Sequence, residues 1–100
     1  MMQNSHVLEL AIFTVKEGFE SQMPELRLML RETLKGFDGL IEFSGYCPEP
    51  QGRVFADLAK WDSLENAQKV AQAFEGGDPR FAPYARAIEA LTFMGHFYPE

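Results

Sequence analysis

The sequence predicts an α+β domain built in the order β-α-β-β-α-β. Three observations carry this. Runs rich in β-branched and aromatic residues occupy 6–16, 40–47, 53–59 and 91–98. Apolar residues recur at helical spacing over 19–34 and 64–74. Glycine and proline punctuate the joints between them. This order is the split βαβ plan, a four-stranded antiparallel sheet in the order 4-1-3-2 with both helices on one face. One hundred residues suit a single domain spanning 1–100.

The first run, HVLELAIFTVK, contains neither glycine nor proline and reads as a central strand, apolar on both faces. Glu17-Gly18 ends it. Phe19, Met23, Leu26, Leu30 and Leu34 then form a helical stripe with Met29 near the same side, and Glu25, Arg27, Arg31, Glu32 and Lys35 take the remainder. Pro24 fits the first turn if Ser21 is the N-cap, and Gly36 stops the helix. LIEFSGYC is the second strand, PEPQG a hairpin loop and RVFADLA the third strand. Asp62 or Ser63 caps the next helix, with Glu65 placed for a capping box. Its buried stripe is Leu64, Ala67, Ala71 and Phe74. The second helix breaks near Gly76–Pro79, where Asp78-Pro79 makes a fresh cap and first turn. A short helical piece follows over 84–89, and LTFMGHFY is the last strand.

Alternation along the strands leaves no polar sheet face. Leu91, Phe93 and Phe97 share one side of the last strand, and Thr92, Met94, His96 and Tyr98 the other. In the first strand Leu8, Leu10 and Ile12 oppose Val7, Ala11, Phe13 and Val15. A face turned to water carries more lysine, glutamate and threonine than either set. The expectation is therefore a homodimer in which two sheets stack, the alternative being a monomer with an apolar open face.

The formal charge of −6 and the absence of a basic stripe argue against nucleic acid or an anionic membrane as partners. Cys47 stands alone, so no disulfide forms within the chain, and a reducing, cytoplasmic setting is the simplest. MMQNSHVLEL has neither the basic start nor the long apolar stretch of a signal peptide or membrane helix.

TVKEG at the end of the first strand, the turn GFDGLIEF and then KWDSLENA together resemble the antibiotic biosynthesis monooxygenase domains of the dimeric α+β barrel, ferredoxin-like group. Trp61, Asp62, Ser63, Glu65 and Ala67 match the stretch in which a tryptophan closes the third strand and an acidic or serine cap follows. The likeness runs from about His6 to Tyr98. It implies a homodimer and, in one branch, cofactor-free oxygenation of electron-rich phenols, quinols or anthrones, with dioxygen as the other reactant. A haem-degrading branch has an asparagine on the first strand and an iron-ligating histidine in the second helical region. Here Ala11 stands at the first position and no histidine lies between Trp61 and His96, so haem degradation is not expected.

An oxygenase of this kind needs aromatic walls, a base and a clamp for the substrate anion. Trp61 is either a plug between sheet and helices or, with Phe13 and Phe81, the wall of an aromatic hollow. The resemblance places an inward polar residue four before the tryptophan, which here is Asp57. Burial would make Asp57 a base nearer neutral pH, and a salt bridge with Arg53 on the same face is the structural alternative. His96 is the other candidate base, or else an interface residue beside His6. The resemblance also implies an arginine and tyrosines as anion clamp, pointing to Arg80 and Tyr84, with Arg86 nearby. The alternative for each arginine is a solvated surface charge. The family's tyrosine shortly after the tryptophan is missing, and Ala67 lies there. Two histidines without a carboxylate pair make no metal site, and Cys47 has no basic neighbour to activate it. No cofactor is expected. A non-catalytic dimer binding a small hydrophobic ligand is the second functional reading, and a purely structural dimer the third.

Overall fold

Strand β1 (Val7–Val15), helix α1 (Met23–Leu34), strands β2 (Leu40–Tyr46) and β3 (Val54–Trp61), helices α2 (Leu64–Glu75) and α3 (Ala82–Ala87) and strand β4 (Ile88–Phe97) succeed one another in the computed structural model, which describes residues 6–100. The expectation that the chain starts without a signal segment falls partly on residues 1–5 and lies outside the described residues. All four strands pair antiparallel in the order β2-β3-β1-β4, which is the predicted 4-1-3-2 order read from the other edge.

The helices lie on one sheet face. Val7, Phe13 and Val15 of β1 and Phe55, Ala59 and Trp61 of β3 are buried beneath Met23, Leu30 and Leu34 of α1, Ala67 and Val70 of α2, and Tyr84 and Ala87 of α3. Odd-numbered residues of β1 and β3 thus face the helices and even-numbered ones the open side, as the strand period of two requires. Among the described residues, no helix is long and apolar enough to cross a membrane.

Several local expectations are corrected. The chain enters α1 through a 3-10 turn at Glu20–Gln22, so Gln22, not Ser21, precedes the helix, and its side chain makes no cap hydrogen bond. Pro24 still occupies the first turn, where a missing amide costs nothing. At α2 the cap is Ser63, which accepts from the Asn66 backbone N–H, while Asp62 accepts from the Asn66 side chain; the capping box with Glu65 does not form. Trp61 is the last residue of β3, not a residue beyond it. The break between α2 and α3 stands where predicted, with Gly77 at φ +81° and Asp78 accepting from the Arg80 N–H. The helical piece occupies Ala82–Ala87 instead of 84–89, and β4 starts at Ile88 instead of Leu91.

The irregularity in β4 matters most for the interior. Ile12 pairs with Phe93 but Phe13 with Leu91, so Thr92 is an extra residue and the alternation resets there. Leu91, predicted to share a face with Phe93 and Phe97, instead turns to the helix side with Met94 and His96. Phe93 and Phe97 stay on the open face, where they stack with ring centres 6.1 Å apart.

Candidate functional site

Between the sheet and the helices lies a cavity of about 130 Å³. Its floor is the inward side of the two central strands: Glu9, Ala11 and Phe13 of β1, and Asp57, Ala59 and Trp61 of β3. Leu91 and Met94 of β4 close one side. Leu30 and Leu34 of α1, Val70 and Phe74 of α2, and Phe81 and Tyr84 around α3 form the roof. The aromatic walls proposed from sequence, Trp61, Phe13 and Phe81, all line it.

Trp61 is fully buried, and its indole N–H donates to Glu9 Oε1 at 3.1 Å. It therefore plugs the sheet end and walls the cavity at once. A tryptophan suits a buried strand end only when its N–H finds an acceptor, and Glu9, diagonal to it across the β1–β3 pairing, supplies one. Glu9 carries no special mark in the sequence. The signal was available, however, since a lone carboxylate stood at an inward position of a strand otherwise apolar on that side.

Asp57 is also buried, and both its oxygens are engaged. Arg27 donates to Oδ1 at 2.7 Å and the Tyr84 hydroxyl donates to Oδ2 at 2.6 Å. The predicted partner Arg53 instead pairs with Glu89 at 3.0 Å and donates to the Val15 carbonyl. Arg27, assigned to the polar side of α1 by periodicity, is only 8% exposed. Its Nη2 also reaches the carbonyls of Tyr46 and Ala56, and its guanidinium lies 5.3 Å from the centre of the Phe55 ring. Gly45 makes the passage possible, because a Cβ there would sit 2.5 Å from Arg27 Nε. Stripe patterning treats arginine as polar and cannot see a guanidinium threading beside a glycine to a buried carboxylate.

These surroundings tune the groups. Burial raises the Asp57 carboxyl above its ordinary value, and the hydrogen bond from Tyr84 and the charge of Arg27 oppose that rise without cancelling it. Burial and the adjacent Asp57 charge hold the Tyr84 hydroxyl far above its ordinary value, so it remains a protonated donor. Burial likewise raises Glu9, against the pull of His96 and the Trp61 N–H.

The remaining predicted site residues lie elsewhere. His96 does not line the cavity; it stands behind Glu9, its partner in the β1–β4 register, with Nε2 3.3 Å from Glu9 Oε2. Nε2 is buried there and makes no proper hydrogen bond. His6 is not the residue opposite it. Arg80 does not line this cavity. It is exposed, forks onto Asp78 and covers the Phe37 ring at 4.4 Å. A helix start bonds its own cap first, and Asp78 holds Arg80 outside. Arg86 is exposed. Of the expected anion clamp only Tyr84 reaches the cavity. Among the described residues no group of three or more His, Cys, Asp or Glu gathers to hold a metal.

No family model matches this sequence, and no curated protein matches it either. Solved structures do match along almost the whole chain. A candidate antibiotic biosynthesis monooxygenase from Bordetella bronchiseptica superposes with a TM-score of 0.77 at 9% identity, covering 97% of both chains. Another from Chloroflexus aurantiacus gives 0.70 at 16% identity, covering 97% of this chain and 94% of that one. SnoaB, a cofactor-independent oxygenase from Streptomyces nogalater, gives 0.67 at 16% identity, covering 97% and 93%. At these identities the likeness is one of architecture, and this chain has the ferredoxin-like α+β fold of the antibiotic biosynthesis monooxygenases.

Proposed function

We propose that this protein is a cofactor-independent monooxygenase acting on a small phenol or quinol, and that it works as a homodimer. The observation that supports this best is the cavity itself: an aromatic hollow under the sheet with a buried carboxylate, Asp57, and a partly buried one, Glu9, on its floor. The fold shared with SnoaB adds weight. Haem chemistry gains no support, because Ala11 is a cavity residue where an asparagine is implied, and no histidine lies on α2 or α3.

The chemistry asks little of the chain. A ring hydroxyl gives its proton to a carboxylate, and the electron-rich anion passes one electron to dioxygen. The two radicals join through a new carbon–oxygen bond at the ring. The peroxide takes back the proton held by the carboxylate, its O–O bond breaks, the hydroxide leaves as water with the hydrogen of the same ring carbon, and a carbonyl remains. One quinol and one dioxygen give one hydroxyquinone and one water. The protein excludes water, fixes the ring against Trp61, Phe13 and Phe81, and accepts the first proton, either at Asp57 by way of Tyr84 or directly at Glu9.

The homodimer rests on the open face. Leu8, Leu10 and Ile12 of β1 and Leu58 of β3 lie beside Phe93 and Phe97, both more than 40% exposed. An uncovered aromatic surface of this kind on a small protein suits association with its own copy.

Oxygen uptake with hydroquinones, naphthoquinols and anthrones tests the activity. Uptake by the wild type that is lost in Trp61→Ala is the expected result. No uptake from any of them, while phenols still quench Trp61 fluorescence, would leave the second reading, a non-catalytic binder of small aromatic molecules, which the largely apolar lining favours.

A further inference from the structure

We propose that Glu9 is the residue that selects the substrate: it receives the hydroxyl of a neutral, single-ring phenol or hydroquinone at the Trp61 end of the cavity and turns anionic aromatics away. This rests on the small-aromatic reading of the cavity given above and narrows it.

Size comes first. An engineered apolar cavity of about 150 Å³ takes one benzene ring. At about 130 Å³ this cavity is of single-ring size, which makes a three-ring anthrone too large for it.

Charge comes second. The residues that line the cavity include Glu9, Asp57 and Glu75 but no lysine, arginine or histidine. The three carboxylates are not equivalent. Asp57 is matched by the guanidinium of Arg27 at 2.7 Å. Glu75 is exposed, at the end of α2. Glu9 is partly buried, held between a neutral indole and an imidazole. Its charge is the one that the protein leaves uncompensated by a permanent cation. A bound carboxylate or sulfonate would meet that charge in a water-poor space with no clamp to offset it. A hydroxyl donor instead gives Glu9 a further hydrogen bond, of the strong kind that an ionised acceptor makes.

Placement comes third. The Trp61 N–H fixes Glu9 Oε1, and Oε2 faces His96 Nε2, which has no proper partner of its own. His96 is one-fifth exposed. A proton arriving on Glu9 therefore has a neighbouring imidazole, its near nitrogen buried but its ring partly open to solvent. Asp57 has no comparable exit, because Arg27 and Tyr84 occupy it.

Trp61 is the chain's sole tryptophan, so its fluorescence reports binding at this site without any turnover. Phenol, anisole and benzoate are titrated into wild type, Glu9→Gln and Glu9→Asp, with circular dichroism confirming that each variant is folded. In the wild type phenol binds at least about tenfold tighter than anisole, which lacks the donor, and benzoate binds weakest. Glu9→Gln narrows the gap between phenol and benzoate about tenfold or more. Glu9→Asp keeps the rejection of benzoate. Wild type that binds anisole as well as phenol, or benzoate as well as phenol, overturns the proposal without recourse to any variant. So does a Glu9→Gln protein that is folded and discriminates like the wild type. Discrimination without oxygen uptake keeps this inference and removes the monooxygenase reading; uptake without discrimination does the reverse.

Discussion

The Tyr84 hydroxyl donates to one oxygen of Asp57 at 2.6 Å while Arg27 donates to the other at 2.7 Å, so a side chain from α3 and one from α1 meet on a single carboxylate of β3. This ties α1 and α3 to the sheet at the cavity floor. Arg27→Met leaves Asp57 buried without its cation and is expected to cost about 3–5 kcal/mol in urea unfolding. Tyr84→Phe removes one hydrogen bond to a buried acceptor and should cost about 1–3 kcal/mol. Because the three groups share one carboxylate, the double variant should lose less than the sum of the two, and strict additivity would show that the residues do not act as a unit.

Gly45 is the hidden partner of that cluster. A Cβ there would lie 2.5–2.7 Å from Nε, Cζ and Cδ of Arg27, so the guanidinium must shift. Gly45→Ala should therefore resemble the loss of Arg27, at about 3 kcal/mol or more. In Arg27→Met the same glycine change should cost far less, which a double-mutant cycle would read out. Equal costs in both backgrounds would place the strain elsewhere.

Stability should rise towards mildly acidic pH. Glu9 and Asp57 both have folded-state values above their ordinary 4.5 and 3.8. A carboxyl raised in the folded state binds its proton more tightly there than in the unfolded chain. Its contribution is complete below the ordinary value and is lost as pH rises through the folded value. His96, Asp57 and Trp61 face Glu9, and Glu75 and Tyr84 share its cavity. Urea midpoints measured from pH 4.5 to 8 should fall over that rise for the wild type. Glu9→Gln should flatten the slope, and an unchanged slope would mean that Glu9 titrates normally.

Trp61 and Arg80 should separate cleanly. Trp61→Ala empties a fully buried site and strands the Glu9 acceptor, so about 3–5 kcal/mol of stability should be lost together with turnover. Arg80→Ala removes an exposed side chain paired with Asp78, and oxygen uptake should stay within about twofold of the wild type. A large loss of uptake in Arg80→Ala would mean that the side chain swings inward when substrate is bound.

Sedimentation at micromolar concentration should give twice the mass of one chain. Leu58→Glu, which puts a charge on the centre of the open face, should shift the particle towards the single-chain mass while the cavity stays intact. A wild type that sediments as one chain removes the dimer.

The architecture was legible in the sequence because strand and helix periods, glycines and prolines are local signals. Element order and the break near Gly76–Pro79 need only nearest neighbours along the chain, and sheet order followed from the split βαβ plan that this element order matches. Alternation along one strand put Asp57 and Trp61 on the same side, and the family resemblance implied that this side faces inward. Tertiary structure decided the rest. The extra residue at Thr92 moved Leu91 into the cavity, and no pattern within β4 announces such a reset. Arg27 reads as surface by composition, yet it is buried because Gly45, eighteen residues downstream on β2, leaves room for its guanidinium. Glu9 became the polar centre of the site only because β1 pairs with β3 and β4 at once, bringing the Trp61 N–H and His96 to its two oxygens. Local periodicity fixes which side of its own element a residue takes, whereas the partner of a buried charge is set by contacts between distant segments, and here those partners define the chemistry.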